Sequence, residues 1–199
     1  MNRITKAHLV LLLINLAMLA GFGWVFWVRR NYEFMTYVAV VGGAIAAVGL
    51  SLRRVPYTMD CLVAMTVWAG LHLAGGGVAI GEYGRLYDVM IWRVSDTWPI
   101  LRYDQLAHIW GFAAATLLAH CLLSKSLLKP VPGPACLAIV LLMAGLGFGA
   151  LNEIVEFIVS SVLKQTGVGG YLNTSLDLCS NLLGAAVAVV YLGVRGRLS

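Results

Sequence analysis

Charge is what this sequence lacks. Only 12% of its 199 residues are Asp, Glu, Lys or Arg, and 60% are hydrophobic. Soluble domains carry about 25% charged residues. A chain this long and this apolar, with a mean hydropathy of +0.86, is poorly explained as a soluble domain with a large core. It fits a polytopic membrane protein. Proline is scarce as well, and all five residues (Pro56, Pro99, Pro130, Pro132, Pro134) stand between or at the edges of apolar runs. The four cysteines, Cys61, Cys121, Cys136 and Cys179, include no CxxC pair. That argues against a disulfide framework or a thiolate metal site, and each reads as a small buried hydrophobe. No basic patch with interleaved aromatics is present, so nucleic acid is not an expected partner. The net charge of +5 comes from single or paired Lys and Arg between apolar runs, as membrane-flanking charges do.

What is present is a series of six apolar runs, predicting an all-α membrane bundle in one domain, 1–199. The spans are expected at about 8–28, 34–52, 61–80, 103–123, 135–163 and 174–192. The first follows Arg3 and Lys6, a start that a signal peptide would share. Its continuation past Gly21 and Gly23 through Trp24 to Trp27 favours an uncleaved span. In the second, Gly42, Gly43, Ala44, Ala46 and Ala47 predict close helix contact. The third should end or bend at Gly75-Gly76-Gly77. Residues 81–102 form the longest polar segment and predict a surface stretch, with a short amphipathic helix around Leu86 to Trp92. Asn173, Thr174 or Ser175 is the expected cap of the sixth span.

Six spans place both termini on one side. Eight Lys and Arg fall on that side (Arg3, Lys6, Arg53, Arg54, Lys125, Lys129, Arg195, Arg197) and six on the other (Arg29, Arg30, Arg85, Arg93, Arg102, Lys164). The weak bias favours cytoplasmic termini.

Polar residues recur in the last four spans: His72; Asp104 and His108; Asn152, Glu153 and Glu156; Asp177 and Asn181. With this topology all lie roughly 2–15 Å below the outer ends of their helices, at 1.5 Å per residue. Spacings of three or four put each group on one helix face. Facing lipid would be costly, so a shared centre is expected. Two histidines and four carboxylates suit a divalent metal ion: Zn, Mn, Fe or Mg, with Ca also open. The expected ligands are His72, Asp104, His108, Glu153, Glu156 and Asp177, with Glu153, Glu156 and His108 as acid–base groups. Asn152 and Asn181 would hydrogen-bond behind them.

Duller roles compete. Asp104 could pair with Arg102 or cap its helix, Asp177 could answer a helix N-terminus, and His72 could bridge helices by a hydrogen bond. His120 lies away from the layer, and His8 reads as juxtamembrane. Glu153 and Glu156, one turn apart inside an apolar run, have no cheap structural role.

His72-Leu-Ala-Gly75-Gly76, Tyr103-Asp-Gln-Leu-Ala-His108-Ile-Trp-Gly-Phe112, Asn152-Glu-Ile-Val-Glu156-Phe and Asp177-Leu-Cys-Ser-Asn181-Leu-Leu-Gly184 resemble the YjdF-like bacterial inner-membrane family. A looser similarity runs to VanZ-like proteins, which implies the cell envelope. The resemblance covers about residues 70–190 and implies no assigned reaction. Gly77-Val-Ala-Ile-Gly-Glu-Tyr83 departs from the family's Pro-rich segment.

The expectation is a metal-dependent hydrolase or transferase of the inner membrane, acting on a lipid or lipid-linked envelope substrate. A bound ion would offset carboxylate repulsion and activate a water. The alternatives are a proton-coupled carrier or a non-enzymatic accessory protein with a structural polar core. A carrier needs a polar path to the other face, whereas the inner halves hold little beyond His120, Thr66 and Thr116.

Overall fold

Thr5 and His8 open the first helix. The Thr5 backbone N–H donates to His8 Nδ1 at 3.1 Å, so a histidine performs the reach-back that Glu or Gln makes in a capping box. Helix α1 then runs Lys6–Val28. A tight turn at Arg30 (φ 53°) leads to α2, Tyr32–Ser51, where the Asn31 side chain accepts from the Phe34 N–H. Helix α3 covers Met59–Gly77, α4 Tyr103–Leu123, α5 Pro134–Val162 and α6 Tyr171–Val194. All six are long and apolar enough to cross a membrane. This computed structural model describes residues 4–124, 133–163 and 169–198. Arg3, the loop expected from Lys125 and Lys129 to Pro132, and Lys164 in the Gly-rich turn lie outside the described residues.

The chain divides into two compact units, Met1–Ala107 and His108–Ser199. In the first, α3 keeps its helix through all three glycines and stops at Gly77. The reason is packing. A Cβ at Gly75 would strike the Tyr87 ring, at Gly76 the Phe34 ring and at Gly77 the Phe22 ring. The aromatics fill the space that side chains would need. Arg29 ties the helix end by donating to the Gly77 carbonyl at 2.7 Å.

The polar segment after α3 is not helical as expected. Strands β1 (Ala79–Ile80) and β2 (Gly84–Arg85) pair antiparallel, Ala79 opposite Arg85 and Ile80 opposite Gly84. Gly84 has φ +75°, a conformation that side-chain-bearing residues rarely adopt. Leu86–Asp88 makes one 3-10 turn. Met90 then bridges Arg102, and Ile91 and Trp92 donate to the Leu101 carbonyl. One 3-10 turn, then backbone pairing of residues 90–92 with 101–102 just before α4, replaces the amphipathic helix predicted at 86–92. The cap expected at Asn173, Thr174 or Ser175 is also corrected. Gly170 holds that position, so the three residues fall inside the first turns.

The second unit packs α4, α5 and α6 through small residues. A Cβ on Gly184 of α6 would collide with the Ile109 carbonyl of α4. One on Gly145 of α5 would meet Thr116 and Ala185, and one on Gly149 would meet Asn181. Such close approach is how helices associate where lipid removes the hydrophobic drive.

Candidate functional site

Helix α4 begins at a cap that the sequence did not lead us to expect. Gln105 Oε1 accepts from the Arg102 backbone N–H at 3.1 Å, and its Nε2 donates to the Pro99 carbonyl at 3.0 Å. Gln105 is 4% exposed. The available signal is a Gln at the third helical position, the far half of a capping box. The capping role considered for Asp104 is thus filled by its neighbour. Asp104 sits in the first turn, where the helix end favours negative charge.

Asp104 also belongs to a charge group around Arg85 in the polar segment. Arg85 makes a two-pronged pair with Asp88, at 3.0 and 3.2 Å. Burial works against the guanidinium charge. Asp88, Glu33 and Asp104 outweigh it, so the Arg85 pKa lies above its ordinary value. Glu33, in the first turn of α2 and 9% exposed, was not singled out from the sequence.

His108 follows Asp104 by one turn on the same helix and is buried. Its Nδ1 lies 2.8 Å from Oδ1 of Asn181 on α6. An amide oxygen only accepts, so Nδ1 carries a proton, and a neutral ring would have its lone pair on Nε2. Asn181 is fully buried. Its Nδ2 faces Gly149 and has no hydrogen-bond partner among the described residues. The glycine at 149 is what lets the amide seat there.

Helix α5 brings its carboxylates to the same imidazole. Glu153 Oε1 is 3.9 Å from His108 Nδ1, and the Glu153 side chain is 8% exposed. Glu156 accepts from Asn152 Nδ2 at 2.9 Å, which fixes its orientation one turn on. His108, Glu153 and Glu156 each offer a ligand atom, all within 4.8 Å of one another. From α6, a carboxylate oxygen of Asp177 also comes within 4.8 Å of a His108 ring nitrogen. Asp177 is 1% exposed and accepts from Asn173 through Oδ2. The four groups lie roughly 8–15 Å from the near ends of their helices, at 1.5 Å per residue.

One imidazole and three carboxylates, closely set in apolar helices, match the donor chemistry of a divalent cation site. A metal-bound histidine commonly donates its other ring nitrogen to a carbonyl; here the nitrogen bonded to Asn181, Nδ1, is also the one 3.9 Å from Glu153.

His72 occupies different surroundings. In the first unit its ring stacks near Trp68, with centroids 5.6 Å apart, and meets Tyr37 edge-on at 5.0 Å. The Tyr87 hydroxyl lies 2.6 Å from Nδ1 of His72 and donates to the His72 backbone carbonyl at 3.1 Å. These bonds tie α3 to the 3-10 turn at Leu86–Asp88 and not to another spanning helix. His120, at the other end of α4, bonds the Arg197 carbonyl at 3.1 Å, a structural use.

The family model described as "Predicted membrane protein (DUF2238)" matches residues 9–197. The chain belongs to this family. It is the YjdF-like family that the motifs resemble, and the protein is a multi-pass membrane protein. No curated protein matches, and no solved structure matches. The match includes the first two spans, which carry no diagnostic motif.

Proposed function

We propose that the second unit holds an intramembrane divalent metal site and that the protein is a metal-dependent hydrolase or transferase. Its substrate would be a lipid or lipid-linked molecule of the bacterial inner membrane and envelope. The observation that carries this reading is the convergence of His108, Glu153 and Glu156, with ligand atoms within 4.8 Å, inside helices apolar enough to cross a membrane. Clustered carboxylates repel one another in a low dielectric, and a cation relieves that.

His108, Glu153 and Glu156 would hold the ion, with Asp177 beside them and Asp104 a turn away on α4. Asn181 would hold the His108 ring through Nδ1, leaving Nε2 of a neutral ring to ligate. Asn152 orients Glu156. Bound there, the ion would supply Lewis-acid polarisation and a water of lowered pKa. A carboxylate not engaged as a ligand serves as the proton acceptor. The weak Lys and Arg bias favours both termini in the cytoplasm, and with that orientation the site would lie toward the outer face.

A proton-coupled carrier ranks second. Toward the far end of α4, Thr116 donates to its own Phe112 carbonyl and His120 bonds backbone. Those groups are spent on structure and offer no continuing relay. Elemental analysis of the purified protein separates the readings: about one ion per chain supports the metal site, and a metal-free protein counts for the carrier.

A further inference from the structure

The first unit contains a cavity of about 210 Å³ between α1, α2 and α3. It has no part in the metal site and is independent of it. Its wall on α2 is Val41, Ala44, Ile45, Val48 and Gly49. Of the small residues expected to give close helix contact, Gly42 faces Leu19 of α1, which a Cβ there would meet at 3.8 Å, while Ala44 lines the cavity. A Cβ at Gly49 would meet nothing within 4 Å.

The cavity is apolar along its length. At the deep end, Asn15 donates to the Leu11 carbonyl and to Thr66 Oγ1, both at 2.8 Å. That leaves these polar groups satisfied within the protein. At the other end, where Ile4 and Leu52 line it, the chain turns basic. Lys6 opens α1 and Arg53 follows α2, both exposed. His8 also lines the cavity. Its Nδ1 accepts from the Thr5 N–H, so a neutral ring carries its proton on Nε2 as a donor.

A hydrocarbon slot with cations and a donor at one end has the polarity of an anionic lipid. An apolar cavity of about 150 Å³ admits a benzene, so this one has room for a segment of acyl chain. Basic pockets between spanning helices are a recognised way to hold anionic head groups. We propose that this cavity binds one acyl chain of an anionic phospholipid, with the head group at Lys6, His8 and Arg53.

Trp68 lines the cavity and reports on it. The full chain in detergent micelles is titrated with phosphatidylglycerol carrying brominated chains, in excess unlabelled phosphatidylcholine. Quenching that Trp68→Phe removes is the signal. It should saturate, and brominated phosphatidylcholine should not reproduce it. Filling the cavity with Ala44→Phe and Gly49→Leu should weaken binding about tenfold or more, since each buried CH₂ contributes about fourfold. Equal quenching by both lipids, or unchanged quenching in a folded, filled variant, overturns the proposal. If the filled variant does not fold, Lys6→Gln with Arg53→Gln decides: lost head-group preference supports it, and retained preference overturns it.

Discussion

The amide oxygen of Asn181 lies 2.8 Å from Nδ1 of His108, joining α6 to α4 in the buried part of the second unit. That bond sets which ring nitrogen carries the proton, and so what the imidazole can do. Asn181→Leu should leave His108 in place with its tautomer unfixed. Loss of such a partner weakens metal binding by about 10- to 100-fold. Titration of the stripped protein with Zn²⁺ or Mn²⁺ checks this, and unchanged affinity would separate Asn181 from the site.

Gly184 should tolerate no side chain. Its Cβ would meet the Ile109 carbonyl, which is backbone and cannot swing aside. Gly184→Ala should lose about 1–3 kcal/mol, the range for overpacking. Gly147 has nothing within 4 Å of a Cβ. Gly147→Ala should be neutral or raise stability, by up to about 1 kcal/mol from helix propensity. Thermal unfolding in one detergent compares the pair.

Gln105→Ala removes two hydrogen bonds at the start of α4. Each typically contributes about 0.5–1.5 kcal/mol, so a lower Tm is expected. Metal content should stay at the wild-type value, because Gln105 caps the helix and supplies no ligand. A large loss of metal with Tm unchanged would contradict that division of roles.

His72→Phe should behave similarly. The ring is held by Trp68, Tyr37 and Tyr87, so its replacement disturbs packing in the first unit and leaves metal stoichiometry intact. Loss of the ion in a folded His72→Phe protein would return His72 to the ligand set.

Much of the fold and the site is legible in the sequence, for identifiable reasons. Membrane thickness fixes the length of an apolar run, so all six helices are readable to within a few residues. Helical spacing and the cost of buried charge expose His108, Glu153, Glu156, Asp177 and Asn181 as one set. The small residues of α2 divide: Gly42 faces Leu19 of α1 while Ala44 lines a cavity, because Gly and Ala permit close approach without requiring it. The 86–92 helix fails because pairing of 90–92 with 101–102 is a tertiary event with no local periodicity. Gln105 and Glu33 escape notice because each sits near a helix end, where polar residues are ordinary. His72 shares a depth with the acids, and depth alone does not say which neighbours surround a ring.

The central claim is that His108, Glu153 and Glu156 hold a divalent ion. Elemental analysis of the purified full chain, beside Glu153→Gln and His108→Ala, tests it directly. About one Zn, Mn, Fe or Mg per wild-type chain, falling close to zero in both variants while they stay folded, is the predicted result. A folded wild-type protein that neither retains nor takes up any of these ions, or variants that keep the full complement, would contradict it.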